Sequence, residues 1–523
     1  MTTIKGVCDG GGPAITLPGI PTTYDQSQVV AQMMRRTSSL GFDAWWRRAQ
    51  SVGYCAHPIQ LVGTDHYGRE RVVWARCNNR RASVCPSCSD LYARDTWQLV
   101  AAGTTGGRHN IPATVAAHPQ VFATLTAPSF GAVHASTGSV CRDHRRIGEF
   151  RRCPHGQPLS CRQNHDHSDD TVGQPLCRDC YDYTGHVLFT WHLPELWRRF
   201  TIALRRAVSR KLKSAGIAST SVRVSFVKVV EMQARAIPHI HALIRLDPAP
   251  TASGEHIDHG PAATRGGGEP RYESSPAWQS PISATELAAL IQHAARAVTL
   301  DVPNPPADND TETSTVTVRF GNQIDTQPLL LEYAAEQDNS RARNAAADRL
   351  PPHRVAAYLA KYVTKSLQEL GISARRLSGE AIADLDVTEH VRTILTTIDH
   401  LAKDARVLGI ESLTGIGRWL HTLGYRGHIT TKSRRYSITL GALRARRHQW
   451  TLKQIAADGE VSQTNTRAHQ TTSEVHSDVC WQFDRSGHTS LGDRVLVLSA
   501  AHRHIETRRI GLSEYRRIRR EGG

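Results

Sequence analysis

Two residue patterns in the sequence have the composition of a reaction site. The first is Pro238-His239-Ile240-His241, which lies in an apolar run typical of a buried strand. Side chains at positions i and i+2 of a strand point to the same side, so the two imidazoles should lie next to each other. Glu231 ends the preceding strand-like run, and the intervening turn should return it to the histidines. The three side chains predict a metal site with open coordination positions.

The second pattern lies on a helix predicted for 351–367, which begins with two prolines. Apolar residues at helical spacing form one stripe, and a second face carries Tyr358, Lys361, Tyr362 and Lys365. A tyrosine hydroxyl has an unperturbed pKa of about 10. Lysines one turn away favour the phenolate and offset the charge that develops on phosphate. The pattern predicts attack on a phosphodiester to leave a phosphotyrosine, and two tyrosines could act in alternation.

Taken singly, both patterns have a structural interpretation. A His-x-His pair on an apolar strand and a tyrosine pair on a helix are each more common as packing residues. Their joint occurrence on one basic chain favours the catalytic interpretation. Mixed imidazole and carboxylate ligands then predict Mg²⁺ or Mn²⁺ as the catalytic ion, although imidazole alone suits zinc better.

The eleven cysteines include two Cys-x2-Cys pairs, a spacing that more often holds zinc than a disulfide in a reducing compartment. The first predicted structural zinc site is Cys55, Cys77, Cys85 and Cys88. The alternative is that Cys55 is only a buried small residue and that the pair is redox active. The predicted ligands of a second zinc site, in a segment poor in apolar residues, are Cys153, Cys161, Cys177 and Cys180. Histidines 144, 155, 165 and 167 and Cys141 are weaker candidates there.

The charge balance favours a polyanionic partner. Lysine and arginine exceed aspartate and glutamate by 64 − 48 = 16, which indicates nucleic acid first and an anionic membrane surface second. No apolar run approaches the roughly 20 residues that span a bilayer, and the first 25 residues lack an apolar signal core, so we expect a cytoplasmic protein without a membrane partner. Basic residues interleaved with tyrosines over 424–436 predict DNA contacts by Arg426, Lys432, Arg434 and Arg435.

Three segments in this order, 122–126, 238–241 and 358–365, resemble the three motifs of the HUH endonucleases that initiate rolling-circle replication. The segments 153–156, 175–183 and 427–435 make the wider chain similar to replication initiators of actinobacterial plasmids and integrative conjugative elements. The resemblance runs from about residue 50 to about residue 450, and long insertions separate its motifs.

The resemblance implies an α+β fold, with a central antiparallel sheet flanked by helices and the two histidines on a central strand. It implies a nickase that cuts one strand at a double-strand origin. The origin DNA would be single-stranded at the nick site. The enzyme would remain on the 5′ phosphate through tyrosine and leave a 3′ hydroxyl for the host polymerase. The family's metal ligands correspond to His239 and His241, and its acidic ligand to Glu231.

The expected organisation has six parts. They are a mobile leader (1–48), a cysteine-rich zinc-binding region (49–117), a nickase domain (118–370, with a cysteine-rich insertion at 131–185 and a disordered linker at 248–283), a basic DNA-binding region (371–450), a linker (451–477) and a basic C-terminal tail (478–523).

Other functions remain open at this point. A relaxase or transposase would use the same tyrosine chemistry. The sequence contains no Gly-x4-Gly-Lys-Ser/Thr loop, which excludes a fused helicase of that type and predicts reliance on a host helicase. A non-enzymatic alternative is a zinc-dependent DNA-binding regulator whose cysteine groups do all of the work.

Overall fold

The computed structural model describes residues 17–20, 24–64, 68–136, 141, 151–166, 169–249, 278–306, 313–329, 351–364, 370–372, 377–461 and 480–521. The chain divides into two compact units. The first is Met1–Arg94 with Gln454–Gly523, and the second is Asp95–Lys453. Within the ranges above, none of the helices combines the length and the apolar character needed to cross a membrane.

The fold is α+β, as predicted, and its sheets are antiparallel. The helices are α1 (Gln26–Thr37), α2 (Phe42–Ser51), α3 (Pro86–Thr105), α4 (Tyr183–Ser214), α5 (Ala284–Ala297), α6 (Pro352–Tyr362), α7 (Glu389–Val407), α8 (Leu440–Val461) and α9 (Leu491–Glu521). The strands are β1 (Ile59–Thr64), β2 (Glu70–Ala75), β3 (Gln120–Leu125), β4 (Val222–Met232), β5 (Pro238–Pro248), β6 (Thr299–Asn304), β7 (Ser314–Arg319), β8 (Ile324–Pro328), β9 (Thr430–Lys432) and β10 (Cys480–Ser486).

The first unit joins the two ends of the chain. Strand β10 pairs with β1 in a three-stranded sheet of order β10-β1-β2. Helix α1 packs against α9, where Val29 and Val495 are buried together. The guanidinium of Arg36 also donates to the carboxylate of Asp493 at 2.8 Å.

This arrangement corrects three of the sequence-based expectations. Residues 26–51 form α1 and α2 where a mobile leader was expected, and 480–521 form β10 and α9 where a basic tail was expected. Helix α8 also extends to residue 461, into the expected linker. The cause in α9 is an apolar stripe at 3–4 residue spacing, Val495, Leu498, Ala501 and Ile505, all buried beneath a basic surface. The remainder of the expected linkers, 250–277 and 462–479, lies outside the described residues.

The second unit is built on a five-stranded sheet of order β8-β3-β5-β4-β9, with β5 in the centre. Alternate side chains of β5 point to opposite faces. Ile240, Ala242, Ile244 and Leu246 are buried in one hydrophobic core with residues of α4, α5 and α7. Helix α4 begins where Asp182 accepts from the backbone N–H of Gly185, and α5 begins with a capping box formed by Ser283 and Glu286. The opposite face of β5 is therefore free to carry polar residues.

The far end of that polar face is a buried ion-pair network. Arg245, only 2% exposed, donates to Asp247 at 2.6 Å and to the backbone carbonyls of Gly103 and Tyr436. Asp247 also accepts from Ser225 at 2.6 Å and lies 2.9 Å from His118 Nδ1. Burial by itself would raise the pKa of Asp247, but its hydrogen bonds and the Arg245 charge hold that pKa well below its usual range. The network fixes α3 and the loop before α8 to the sheet.

Replacing Asp247→Asn should destabilise the protein by about 3–5 kcal/mol at pH 7, because the Arg245 charge stays buried without its counter-ion. A carboxyl whose pKa is lowered by folding stabilises above its unfolded pKa of about 3.9, and that contribution is lost as the pH falls. The difference from the parent protein should therefore shrink in acid. Chemical denaturation of the full chain at pH 7 and at about pH 2, well below the unfolded pKa, measures both effects. The exposed Asp301→Asn is the matched control, and equal losses in the two variants would contradict the prediction.

Candidate functional site

The β4–β5 hairpin brings the predicted acidic residue and both histidines to one place. Glu231 pairs in register with His239, and Thr124 of β3 pairs with His241. All four positions belong to the sheet face opposite the hydrophobic core. The turn is closed by hydrogen bonds from Gln233 N to Ile237 O (3.0 Å) and from Ala236 N to Gln233 O (2.9 Å). The sequence pattern was therefore correct in placing these side chains together.

His241 is buried and is held on both sides of its ring. Its Nε2 lies 3.0 Å from Glu231 Oε2, and its Nδ1 lies 3.2 Å from Thr124 Oγ1. The ring of Phe122 stacks on the imidazole with centroids 5.9 Å apart and an angle of 11°. Strand β3 thus supplies one polar and one aromatic contact of this histidine, and β4 supplies the carboxylate.

His239 stacks on His241 with ring centroids 5.0 Å apart. Its Nδ1 lies 2.6 Å from Gln233 Nε2, and the oxygen of that amide accepts from Arg235 Nε at 3.0 Å. Its Nε2 is buried and has no hydrogen-bond partner among the residues that the structure describes. Burial, followed by the neighbouring His241, lowers the pKa of His239 to about 4, so the ring is neutral at pH 7.

Helix α6 presents the two tyrosines to the histidines. Val355 and Leu359 are buried on its inner side, which leaves Tyr358 and Tyr362 one turn apart on another side. The Tyr358 hydroxyl lies 3.5 Å from His241 Nε2, and the two tyrosine rings are 4.4 Å apart. Burial raises the pKa of Tyr358, and the Tyr362 hydroxyl and the Glu231 charge add to that increase.

Of the two lysines predicted beside the tyrosines, only Lys361 lies in the described part of the chain. The Lys361 ammonium lies 5.8 Å from the centre of the Tyr362 ring, and the side chain is exposed. Lys365 lies outside the described residues. The structure therefore brings together Glu231, His239, His241, Tyr358 and Tyr362, with Lys361 at the edge of the group.

The residues at this site suit a divalent cation. Neighbouring ligands of an octahedral ion lie about 3 Å apart when each bond is about 2.1 Å, which matches the separation of Glu231 Oε2 and His241 Nε2. The buried Nε2 of His239 is a third donor once its proton is on Nδ1, which requires the Gln233 amide to turn its oxygen from Arg235 to the ring. The three donors converge less tightly than those of the cysteine groups, whose ligand atoms all lie within 4.8 Å of one another.

The first predicted cysteine group is assembled in the first unit. Cys55 Sγ lies 3.8 Å from Cys85 Sγ and 3.6 Å from Cys88 Sγ, and Cys77 completes the group. A tetrahedral zinc ion with Zn–S bonds of about 2.3 Å separates its sulfur ligands by about 3.8 Å. The four thiols can therefore hold a metal ion.

The second predicted cysteine group is wrong in one member. Cys153, Cys177 and Cys180 lie together, but the fourth donor is His155. Cys161 instead joins a further group with His134, Cys141 and His165, which the sequence pattern did not identify as a site. The four cysteines were grouped because Cys-x2-Cys spacing is a strong local signal. Loops without periodicity decide which pairs meet.

Of the four predicted DNA contacts, Arg434 and Arg435 are exposed and line a groove of about 310 Å³ together with Arg205, Arg223 and Ser433. Arg426 is exposed as well, and its guanidinium lies 4.3 Å from the centre of the Trp191 ring. Lys432 differs from the expectation. Its ammonium donates to the carbonyls of Ser433, Arg434 and Ser437, so it braces its own loop.

Comparison with known proteins defines the class to which this fold and site belong. The model of a family described as RepSA, replication initiator protein of pSAM2, matches residues 41–502. The chain therefore belongs to this family of replication initiators. A replication initiator protein of Streptomyces ambofaciens is 34% identical over 512 residues, which cover 92% of this chain and 95% of that protein. No solved structure matches the chain.

Removing one thiol of the first cysteine group should release its metal. Cys88→Ser is expected to lower the metal content of the purified protein by one equivalent and to lower its unfolding temperature, because bound metal contributes folding energy. Elemental analysis and a thermal melt measure the two effects. Cys480→Ser is the matched control, since this exposed cysteine belongs to none of the donor groups found in the described residues. Identical metal content in the two variants would contradict the prediction.

Proposed function

We propose that this initiator nicks one DNA strand at its double-strand origin through tyrosine and so starts rolling-circle replication. The observation that carries the proposal is the Tyr358 hydroxyl, 3.5 Å from His241 Nε2 and one helical turn from Tyr362. Histidines and tyrosines from separate elements meet at one point on the sheet. A relaxase or transposase would use the same chemistry, and membership of an initiator family favours the initiator.

The chemistry follows from the hydroxyl group. Tyr358 Oη gives up its proton to water and attacks the scissile phosphorus to form a phosphotyrosine with the 5′ end, while the bond to the 3′ oxygen breaks and that oxygen takes up a proton from water. The 3′ hydroxyl is then available to the host polymerase. Because the phosphodiester energy is kept in the covalent link, the second tyrosine can later attack the regenerated junction.

Electrostatics support a cation at the site. His239 is neutral at pH 7, so the Glu231 carboxylate would repel the phosphate of the substrate, and the raised pKa of Tyr358 opposes formation of its phenolate. Glu231, His239 and His241 would hold Mg²⁺ or Mn²⁺, which would polarise a phosphoryl oxygen. Lys361 lies where its charge can offset the negative charge that builds up near Tyr362.

The order of the two tyrosines has arguments on both sides. The sequence indicates that both tyrosines are used and slightly favours Tyr362, because lysines lie on either side of it, but it does not give the order of attack. The structure favours Tyr358, whose hydroxyl lies 3.5 Å from His241 Nε2. We propose that Tyr358 attacks first and that Tyr362 acts in the second transfer.

DNA would reach the site as a single strand, opened by a host helicase. Exposed Arg434 and Arg435 with Arg205 form a basic groove suited to the phosphate backbone, and Arg223, which also lines it, is paired with Asp247 at 3.1 Å. The positive net charge of 16 adds affinity that is independent of base sequence.

Changing both tyrosines, Tyr358→Phe with Tyr362→Phe, should abolish the covalent protein–DNA adduct on a supercoiled plasmid that carries the cognate origin. The nicking rate should fall by on the order of 10³-fold or more, since the nucleophile is gone. Denaturing gels of labelled origin DNA measure the adduct. Tyr358→Phe alone should remove the first cleavage, and Tyr362→Phe alone should preserve it. The exposed Tyr515→Phe is the matched control.

A double variant that still forms the adduct would refute the tyrosine mechanism. The non-enzymatic regulator is excluded by a separate comparison. If the wild type nicks the origin, while His239→Ala with His241→Ala binds it as tightly and does not nick, then the histidines serve the reaction. If neither protein nicks and both bind alike, the regulator is favoured.

Removing the two groove arginines, Arg434→Ala with Arg435→Ala, should weaken binding to DNA of any sequence. The plot of log K against log salt should lose about 0.7 to 0.9 of slope for each lost phosphate contact. Binding titrations at several salt concentrations measure the slope. Arg198→Ala is the matched control, because Glu195 already neutralises that exposed guanidinium. An unchanged slope in the double variant would place the phosphate contacts elsewhere.

A further inference from the structure

We propose that the segment between β3 and α4 binds two zinc ions at interleaved sites. Site A consists of His134, Cys141, Cys161 and His165, and site B of Cys153, His155, Cys177 and Cys180. With the Cys55 group, the chain would carry three structural zinc ions. This inference concerns the folding of the segment and does not depend on the nicking activity.

The donor atoms of site A have the spacing that a tetrahedral ion imposes. His134 Nδ1 lies 3.2 Å from His165 Nε2 and 3.8 Å from Cys141 Sγ, and Cys161 Sγ lies 3.4 Å from His165 Nε2. Bonds of about 2.3 Å to sulfur and 2.0 Å to nitrogen place tetrahedral ligands about 3.3 to 3.8 Å apart. Two thiols and two imidazoles are a soft donor set that selects zinc over Mg²⁺.

A second, independent observation at site A is the partner of His165. The Nδ1 atom of this buried ring lies 2.6 Å from Asp169 Oδ2, and the same carboxylate accepts from Thr171 N at 2.9 Å. A carboxylate on one ring nitrogen fixes the proton there and directs the lone pair of the other nitrogen to a metal. Here that other nitrogen is Nε2, which faces Cys161 and His134.

The donor atoms of site B have similar spacing. His155 Nδ1 lies 3.2 Å from Cys180 Sγ and 3.8 Å from Cys177 Sγ. A tight turn closed by Gly156 N and Cys153 O (2.9 Å) brings Cys153 and His155 to the same side. Gly156 has a φ of 77°, which a residue with a side chain rarely adopts, so the turn depends on this glycine.

The order of the ligands along the chain makes the two sites interdependent. The pairs follow as 134/141 for site A, 153/155 for site B, 161/165 for site A and 177/180 for site B. Each loop that closes one site therefore contains a ligand pair of the other. Losing either ion would free loops that position the remaining one, so we expect the two ions to be lost together under chelation.

The segment packs against the turn that carries the candidate active site. Gly173 donates from its backbone N–H to the carbonyl of His134 at 2.9 Å, and a Cβ at Gly173 would collide with the backbone of Ala234 and Arg235. These residues directly follow Gln233, whose amide contacts His239. Zinc at site A would therefore help to fix the position of His239 through the contacts of Gly173 with the turn.

The test is the metal content of the full-length protein, purified without chelators and measured by elemental analysis. We expect three zinc ions per chain, and fewer in His134→Ala and in Cys141→Ser. A single site built from the four cysteines 153, 161, 177 and 180 would give two ions per chain, and neither substitution would change that number. Cys480→Ser is the matched control.

Asp169→Asn keeps the test decisive if the ligand variants fail to fold. This substitution leaves all eight ligands in place and should weaken zinc binding by about 10–100-fold, as measured by competition with a chromogenic chelator. Two zinc ions per chain in the wild type as purified, with the same number in His134→Ala, or an unchanged affinity in Asp169→Asn, would overturn site A.

Discussion

The pairing of β4 with β5 is the constraint on which the rest of the second unit depends. Its register sets Glu231 opposite His239 and, with β3, Thr124 opposite His241. Because strand side chains alternate, a slip of one residue would move the histidines into the core and expose the apolar residues. The burial of Ile240, Ala242 and Ile244 against α4 and α5 penalises that slip. Burial of the apolar residues of β5 thus fixes the positions of the histidines and of Glu231, which are not part of the hydrophobic core.

The polar face of β5 carries two groups of residues, a stabilising ion-pair network at one end and the candidate active-site histidines at the other. At one end, Arg245 and Asp247 satisfy each other and five further groups, Gly103, Tyr436, Ser225, His118 and Arg223, so their charges stabilise rather than react. At the other end, His239 Nε2 is left without a partner in the described part of the chain. A buried polar atom without a partner costs free energy, and such costs concentrate at functional sites. The contrast along one strand supports assigning the chemistry to the histidine end.

Local periodicity explains what could be predicted from the sequence. The two-residue alternation of β5 and the four-residue spacing of Tyr358 and Tyr362 fix which side chains share a face, and both predictions agree with the structure. The grouping of Cys161 was wrong because it depends on loops that have no period. Asp247 and Arg245 gave no signal as an ion-pair network, since their partners Gly103 and Tyr436 are distant in the chain. In α9, the high density of arginines obscured a regular apolar stripe.

The donor chemistry would let one chain separate two kinds of metal, zinc in the cysteine groups and a harder ion at the proposed active site. The three cysteine-containing groups offer thiolates with closed, fourfold coordination, which suits zinc. The candidate active site offers one carboxylate and two imidazoles and contains no thiol, which leaves coordination positions for water or phosphate and suits a harder ion. A zinc ion captured at His239 and His241 would bind more tightly than Mg²⁺ and exchange more slowly. Thiolate groups that bind zinc still more strongly would fill before the histidines when zinc is scarce.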